Sequence, residues 1–254
     1  MTGPAEFTGA PLTPNSTGGF ARISRRGLLT AGAGLVLGAA AAEAGRELTD
    51  GTTGSAAPHV PSPGEELMIE HGVLKRILLA YRATIDQLNS GQLPPAGAVA
   101  DAAQIVSDYV ESFHEGLEEA YVFPRVQQDG THGSLVQTLL IQHDRGRHLT
   151  AAIQSTASGN LAVAAVRAAL RGYLAQFVRM YEPHEAWEDT VIYPALRAIT
   201  PQRTLDELAQ RFAELETRQY GDGALTLILD RVSVIEEQLG IADLAAFTPP
   251  EPAG

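Results

Sequence analysis

The sequence places a histidine four residues before a glutamate at two matched points. His114 precedes Glu118, and His184 precedes Glu188. In a helix, residues i and i+4 lie on one face with their Cβ atoms about 5–6 Å apart. A single histidine stands upstream of each pair, at His71 and at His143. Imidazole and carboxylate groups on one helix face can bind a metal cation, so this spacing indicates a metal site.

The composition restricts which metal chemistry is open to the chain. Its 254 residues contain seven histidines and no cysteine, which excludes thiolate metal sites, disulfides and cysteine nucleophiles. A single histidine is more often a core or surface residue than a ligand, but repetition at matched places favours ligation. Burying four imidazoles and two carboxylates without a compensating cation is costly. Histidine and carboxylate ligands without thiolate suit iron or manganese.

Helical patterns account for the chain after residue 64. Ser62-Pro63-Gly64-Glu65 is a capping-box start for a first helix, which Asn89-Ser90-Gly91 ends. The apolar periodicity and turn signals predict further helices over residues 96–126, 134–156, 161–198, 200–220 and 224–238. Low aromatic content and few β-branched runs argue against a large β-sandwich. The fold class is therefore all-α.

An internal repeat predicts how these helices pack. Met68-Ile69-Glu70-His71 parallels Leu140-Ile141-Gln142-His143, and the two His–Glu pairs lead into Val122-Phe123-Pro124 and Ile192-Tyr193-Pro194. Two helix pairs related by a pseudo-two-fold axis, with short connections, form an up-down-up-down four-helix bundle that carries one histidine on each helix. We expect the C-terminal helices to cover one face of the bundle. An oligomer interface is the alternative for those helices, and the oligomeric state stays open.

Three prolines and one tryptophan complete the expectations for the bundle. Pro183 precedes His184 within a helical run and removes a backbone hydrogen bond, which predicts a kink or bulge. Pro124 and Pro194 should bend the closing turns of their helices in a matched way. Trp187 aligns with Leu117 in the repeat and is expected to pack in the core.

Over residues 65–199 the sequence resembles the hemerythrin-like, or HHE cation-binding, family. The family pattern is a lone histidine, an H-x-x-x-E segment, another lone histidine and a second H-x-x-x-E segment. The resemblance implies a non-haem di-iron centre in which Glu118 and Glu188 bridge two iron ions. Glu115 matches a further carboxylate ligand of some members, and Glu185 is its weaker equivalent. The implied metal ligands are His71, His114, Glu115, Glu118, His143, His184 and Glu188.

One departure from the respiratory hemerythrins concerns the third helix. Those proteins carry H-x-x-x-H there, whereas Arg147 stands four residues after His143. His148 is about 140° round the helix from His143 and is not expected to substitute. A more anionic ligand set favours ferric iron and argues against reversible O2 carriage. His59 and His132 are assigned to solvent.

The N-terminal residues resemble a twin-arginine export signal. Ser24-Arg25-Arg26-Gly27-Leu28-Leu29 precedes a weakly apolar stretch, and Ala42-Glu43-Ala44 offers a cleavage site. We therefore expect a signal over residues 1–44, a flexible tether over 45–64, the bundle over 65–199 and a helical extension over 200–254. The implied destination is the periplasm, the cell wall or the medium. The apolar run is too short to span a bilayer and no cysteine follows it, so no stable membrane anchor is expected.

These observations lead to three functional hypotheses. The formal net charge of −12 disfavours nucleic acid as a partner. The leading hypothesis is an exported di-iron protein that binds or reacts with O2, peroxide or NO. The second is a di-iron peroxidase or ferroxidase, in which Tyr81, Tyr109, Tyr121 or Tyr181 could relay electrons although core packing is the simpler role. The third is a non-catalytic module that senses or sequesters iron.

Overall fold

A computed structural model describes residues 60–95 and 97–252, and these residues form six helices and no strand. The twin-arginine segment, its cleavage site, residues 45–59 of the predicted tether and His59 lie outside the described residues. None of the described helices is both long enough and apolar enough to cross a membrane.

The first helix, α1, runs from Pro63 to Asn89. Its N-terminus forms the predicted capping box: the Ser62 hydroxyl accepts from the Glu65 amide, and the Glu65 carboxylate accepts from the Ser62 amide at 2.8 Å. This arrangement satisfies backbone donors that the first turn of a helix leaves without partners. The cap therefore fixes where α1 begins, eight residues before His71.

The second helix, α2, begins at Ala98 and ends at Asp129, and it alternates between α-helical and π-helical turns. Its successive parts are Ala98–Ile105 (α), Val106–His114 (π), Glu115–Leu117 (α), Glu118–Val122 (π) and Phe123–Asp129 (α). The first π segment ends at His114 and the second begins at Glu118. Such π turns occur frequently at functional sites.

The third and fourth helices complete the bundle. The third, α3, is Gly133–Ala157, and α4 comprises Ala164–Trp187 (α), Glu188–Ile192 (π) and Tyr193–Ile199 (α). Around the bundle α1 contacts α2 and α4, and α3 also contacts α2 and α4. The predicted four-helix architecture is confirmed, with helix ends within about three residues of those expected from the sequence.

The prolines act in two different ways. Pro124 and Pro194 each stand second in the α-helical segment that follows a π turn, so their places are matched, and the bend expected there stays a prediction. Of the kink or bulge expected at Pro183, the bulge is not present, because the backbone stays α-helical from Ala164 to Trp187, and the kink stays a prediction. The π turn of α4 is Glu188–Ile192, and it begins at the glutamate of the His–Glu pair.

Two further helices, α5 (Gln202–Tyr220) and α6 (Ala224–Leu239), pack against the bundle. Both contact α1, and α6 also contacts α2. The Arg76 guanidinium makes a two-point ion pair with Glu236 of α6, and the Tyr220 hydroxyl of α5 donates to the Asp108 carbonyl of α2. These helices therefore cover one face of the bundle, as expected. After α6 the chain forms one 3-10 turn, Leu244–Phe247.

The environment of Trp187 contradicts the expected core packing. The Trp187 side chain is 53% exposed, whereas Leu117, its counterpart in the repeat, is buried. On the α2 side, α5 contacts Tyr121, four residues after Leu117, where the rings of Phe212 and Tyr121 are 5.6 Å apart. Matched sequence positions therefore have different surroundings in the two halves.

Candidate metal centre

The four bundle helices bring six predicted ligands into one buried cluster. Each helix contributes one histidine, and α2 and α4 each add the glutamate four residues later. None of these residues is more than 3% exposed: His71, His114, Glu118, His143, His184 and Glu188. The i to i+4 spacing points each histidine and its glutamate inward together, and the apolar residues on the same helical stripe form the surrounding core.

The ligand atoms form two groups of three. His71, His114 and Glu118 make one group, which we call the first metal position. Within each group the ligand atoms lie within 4.8 Å of one another, a spacing compatible with donor atoms that surround one cation. The second metal position is the corresponding group in the other half: His143, His184 and Glu188.

Both glutamates also face histidines of the other group. Glu118 Oε2 is 3.6 Å from His114 Nε2 and 3.5 Å from His143 Nε2. Glu188 Oε1 is 3.1 Å from His184 Nε2, and its Oε2 is 3.4 Å from His71 Nε2. Each carboxylate therefore lies between the two positions, which is the placement that a bridging ligand requires.

Several inward-facing atoms have no hydrogen-bond partner. His114 Nε2, His143 Nε2, Glu118 Oε2 and both Glu188 oxygens are buried and make no well-aligned hydrogen bond, although Glu188 Oε1 lies 3.1 Å from His184 Nε2. Buried polar atoms are otherwise nearly always paired, and leaving them unpaired costs about 1–3 kcal/mol each. All belong to groups that ligate cations. The residues present therefore fit a metal centre, on geometry and on donor chemistry.

The electrostatics of the glutamate pair point the same way. Burial raises the pKa of Glu118 well above its usual range, and the charge of Glu188 raises it further. Burial also opposes ionisation of Glu188, but His184 and His71 outweigh it and hold the pKa of Glu188 well below its usual range. Without a cation the pair thus retains a proton, which a bound cation would displace.

Each of the four histidines is held from behind through Nδ1. Nδ1 of His71 lies 2.7 Å from Asp189 Oδ1, and Nδ1 of His143 lies 2.9 Å from Glu119 Oε1. In both cases the partner comes from the opposite half of the repeat. An acceptor at Nδ1 fixes the ring orientation and leaves the Nε2 lone pair for a metal.

The other two histidines are held from within their own halves. Nδ1 of His114 lies 2.8 Å from Glu70 Oε2, and Nδ1 of His184 lies 2.9 Å from Gln142 Oε1. Burial raises the pKa of Glu70 and lowers that of His114, so the cation-free chain keeps one proton in this hydrogen bond. A cation on Nε2 would make Nδ1 the donor.

Aromatic rings stack on the two lone histidines. The Tyr193 ring lies 5.6 Å from that of His71, and the Phe123 ring lies 5.4 Å from that of His143, both in stacked geometry. The Tyr193 hydroxyl donates to Glu118 Oε1 at 2.8 Å and lies 3.3 Å from His71 Nε2. The Tyr193 hydroxyl therefore lies beside the first metal position, whereas the matched ring at the second, that of Phe123, has no polar atom.

Glu115 does not join either metal position, although its carboxylate lies with Glu119 and His143 in a third group whose ligand atoms are within 4.8 Å of one another. Its Oε1 accepts from the Tyr181 hydroxyl at 2.7 Å and its Oε2 from Arg147 at 3.0 Å. Its nearest imidazole atom is Nδ1 of His143, at 3.9 Å, which is the side turned away from the glutamate pair. The contacts favour a supporting place behind His143 over the predicted place as a ligand.

The remaining candidates also lie outside the cluster. Glu185, the equivalent of Glu115, pairs with Lys75 through Oε1 at 3.0 Å. His148 is exposed and contacts Asp144, as its angle on the helix predicted. His132 is half-buried just before α3.

Sequence reasoning missed five residues that hold or contact the ligands: Glu70, Glu119, Gln142, Asp189 and Tyr193. The repeat already contained the signal that could have found them. Glu70 and Gln142 directly precede the lone histidines, Glu119 and Asp189 directly follow the paired glutamates, and Tyr193 aligns with Phe123. Their matched places show that the repeat extends beyond the ligands.

The sequence model of the protein family described as the hemerythrin HHE cation-binding domain matches this chain twice, over residues 62–169 and 134–226. The chain belongs to the hemerythrin HHE cation-binding domain family. The first match begins at the cap of α1 and the second begins in α3, so both halves of the repeat carry the family pattern. In this HHE domain the histidine and glutamate residues of the two metal positions could hold metal ions.

Two mycobacterial proteins are similar to this chain over most of its length. A protein of Mycobacterium tuberculosis and one of Mycobacterium bovis, named uncharacterized proteins Rv1995 and Mb2018, are each 43% identical to the chain over 189 residues. Each alignment covers 73% of this chain and 73% of the relative. No solved structure gives a significant match.

Proposed function

We propose that this protein is an exported, non-haem di-iron protein that binds or reacts with O2, peroxide or NO. The observation that carries the proposal is the pair of buried three-residue groups, in which inward-facing imidazole and carboxylate atoms have no hydrogen-bond partner. The HHE family gives cation binding. Iron, the small ligand and export are our inferences.

The donor set supports iron. Four imidazoles and two carboxylates face one another without a thiolate, and both carboxylates lie between the two positions. Such mixed nitrogen and oxygen ligation suits iron and manganese better than copper(I) or zinc thiolate chemistry. Two bridging carboxylates also supply the negative charge that ferric ions favour.

The burial of the centre supports a small ligand. All six ligand side chains are at most 3% exposed within a packed bundle. A molecule of two to four atoms can reach such a centre through small fluctuations of the helices, whereas a larger substrate needs an open cleft. O2, peroxide and NO combine this size with an affinity for iron.

The export proposal depends on the twin-arginine pattern and the cleavage site near residue 44. The twin-arginine route carries folded proteins, which suits a cofactor inserted inside the cell. Fractionation of cells that express the full chain should place the processed form outside the cytoplasm. Replacement of Arg25 and Arg26 by lysine should retain the unprocessed form, and unchanged fractionation would contradict the proposal.

Metal analysis of the protein purified from cells tests the centre directly. We expect about two irons per chain, and loss of the binuclear pair in Glu118→Gln and Glu188→Gln, because each removes a charged ligand between the two positions. His148→Ala is the matched control and should keep both irons, since His148 contacts Asp144 at the surface. A stable wild-type protein without metal, or iron loss in the control, would contradict this assignment.

Optical titration of the anaerobically reduced protein tests the ligand. Separate additions of O2, peroxide and NO should each change the iron absorption bands of the wild-type protein and leave those of Glu118→Gln unchanged. Multiple turnovers with peroxide would favour a peroxidase, while one stoichiometric change would favour binding or sensing. A wild-type spectrum that responds to none of the three would refute the small-ligand proposal.

A further inference from the structure

The two metal positions have the same ligands but different supporting contacts. Both lone histidines have a carboxylate at Nδ1, from Asp189 or from Glu119. The positions differ at the histidine of each His–Glu pair and at the glutamate itself. These differences come from two separate substitutions between the halves of the repeat.

The first difference is the acceptor behind the paired histidine. Glu70 lies at Nδ1 of His114, while the matched residue Gln142 offers an amide oxygen to Nδ1 of His184. An anionic acceptor makes a stronger hydrogen bond than a neutral amide and makes the imidazole a better electron donor to a metal. His114 is therefore the stronger ligand of the two.

The second difference is the anchor of the glutamate. The Tyr193 hydroxyl donates to Glu118 Oε1 at 2.8 Å and leaves Oε2 directed at the histidines. The matched residue Phe123 has no hydroxyl, and both oxygens of Glu188 are buried without a hydrogen bond. Glu118 thus has an anchor outside the cluster of predicted ligands, whereas Glu188 contacts only members of that cluster, His184 Nε2 at 3.1 Å and His71 Nε2 at 3.4 Å.

We propose that the first metal position, formed by His71, His114 and Glu118, binds its cation more tightly than the second. This inference rests on the proposed metal-binding function. At the first position each of the three residues has a hydrogen-bond partner outside the group, and both histidines have a carboxylate. At the second position only the two histidines have such a partner, and only that of His143 is a carboxylate. Removing a supporting partner of a metal ligand lowers affinity by about 10–100-fold, which sets the expected difference between the positions.

Stepwise titration of the metal-free full chain with Fe²⁺, without oxygen, tests the proposal. The wild-type protein should show two dissociation constants. Glu70→Gln should raise the smaller constant by about 10–100-fold and leave the larger one nearly unchanged, because only His114 loses its carboxylate partner. Gln142→Glu should lower the larger dissociation constant, because His184 gains a carboxylate partner, and so bring the two constants closer together.

Three further variants test the anchor of the glutamate and the effect of charge alone. Tyr193→Phe should raise the smaller constant, and it provides a second test if Glu70→Gln does not fold. Phe123→Tyr should leave the smaller constant unchanged. Glu207→Gln, an exposed position on α5, removes the same charge as Glu70→Gln far from the ligands and should change neither constant.

The outcomes distinguish this inference from the proposed function. If no Fe²⁺ binds to the wild-type chain, both fail. If two Fe²⁺ bind and Glu70→Gln, Gln142→Glu and Tyr193→Phe leave the constants unchanged, the metal centre stands and the inequality is refuted. A shift of both constants by one common factor would also refute it, since that indicates a general change in charge near the centre.

Discussion

Gly146 on α3 allows the closest helix contact beside the metal centre, and its replacement by alanine tests how tightly the supporting residues are packed. A Cβ atom at this position would lie 1.8 Å from the Tyr181 hydroxyl oxygen and 2.7 Å from Cζ of the same ring. Tyr181 cannot retreat easily: its ring is 1% exposed, stacks on Phe177 at 4.3 Å and contacts the His184 ring. Alanine must therefore displace the ring or separate α3 from α4.

The expected cost follows from three opposing effects. Replacing glycine by alanine in a helix interior gains about 1 kcal/mol from backbone entropy. Overpacking a filled core costs about 1–3 kcal/mol. Moving the Tyr181 hydroxyl away from Glu115 Oε1, 2.7 Å away, leaves buried polar atoms without partners at about 1–3 kcal/mol. The net destabilisation of Gly146→Ala is therefore about 1–5 kcal/mol.

Denaturant unfolding of Gly146→Ala and Gly172→Ala provides the measurement and its control. Gly172 lies inside α4 and a Cβ there meets nothing within 4 Å, so alanine should stabilise the protein by up to about 1 kcal/mol. Gly146→Ala should also retain less iron, because the Tyr181 ring lies 5.2 Å from that of His184. If both variants are equally stabilised, the reasoning about this contact is wrong.

Two further predictions concern α1. Burial, together with the charge of Glu216, raises the pKa of Glu66 to about 7 in the folded chain. Ionised Glu66 therefore opposes folding, and the free energy of unfolding of the wild-type chain falls as the pH rises from about 4.5 to 7. Glu66→Gln should remove that fall and gain about 1 kcal/mol at pH 8 after allowance for partial exposure, and equal pH profiles would contradict it. Ser62→Ala should cost about 0.5–1 kcal/mol in thermal or denaturant unfolding, because it removes the side-chain half of the capping box. Ser90→Ala, at the other end of α1, removes only a bond to the Gln87 carbonyl and should cost less.

The fold was predictable because its signals are local. The Ser62 cap, the turn at Asn89-Ser90-Gly91 and the i to i+4 spacing of His114 and Glu118 each act within one helix, and the repeat then fixes how the helices pair. The six residues of the two metal positions were likewise singled out by spacing, and the structure brings them together in groups that could hold a metal ion.

The rest depended on contacts between helices, which spacing along one helix does not encode. Glu115 has the chemistry of a ligand, but Tyr181 and Arg147 from two other helices take both its oxygens. Trp187 has an apolar side chain on the stripe of its helix, yet 53% of it is exposed. In both cases the neighbours of the residue, and not its own pattern, decide its environment.

The contacts across the repeat also bear on how such a centre could arise. A symmetric dimer of the first half alone would place Glu119 of one copy behind His71 of the other, since Glu119 and Asp189 hold equivalent histidines in this chain. Identical subunits would be bound to give identical metal positions. Joining two copies into one polypeptide lifts that constraint, because each copy can then mutate independently. The exchange of tyrosine for phenylalanine at residues 193 and 123 is a difference that a dimer of identical halves cannot carry.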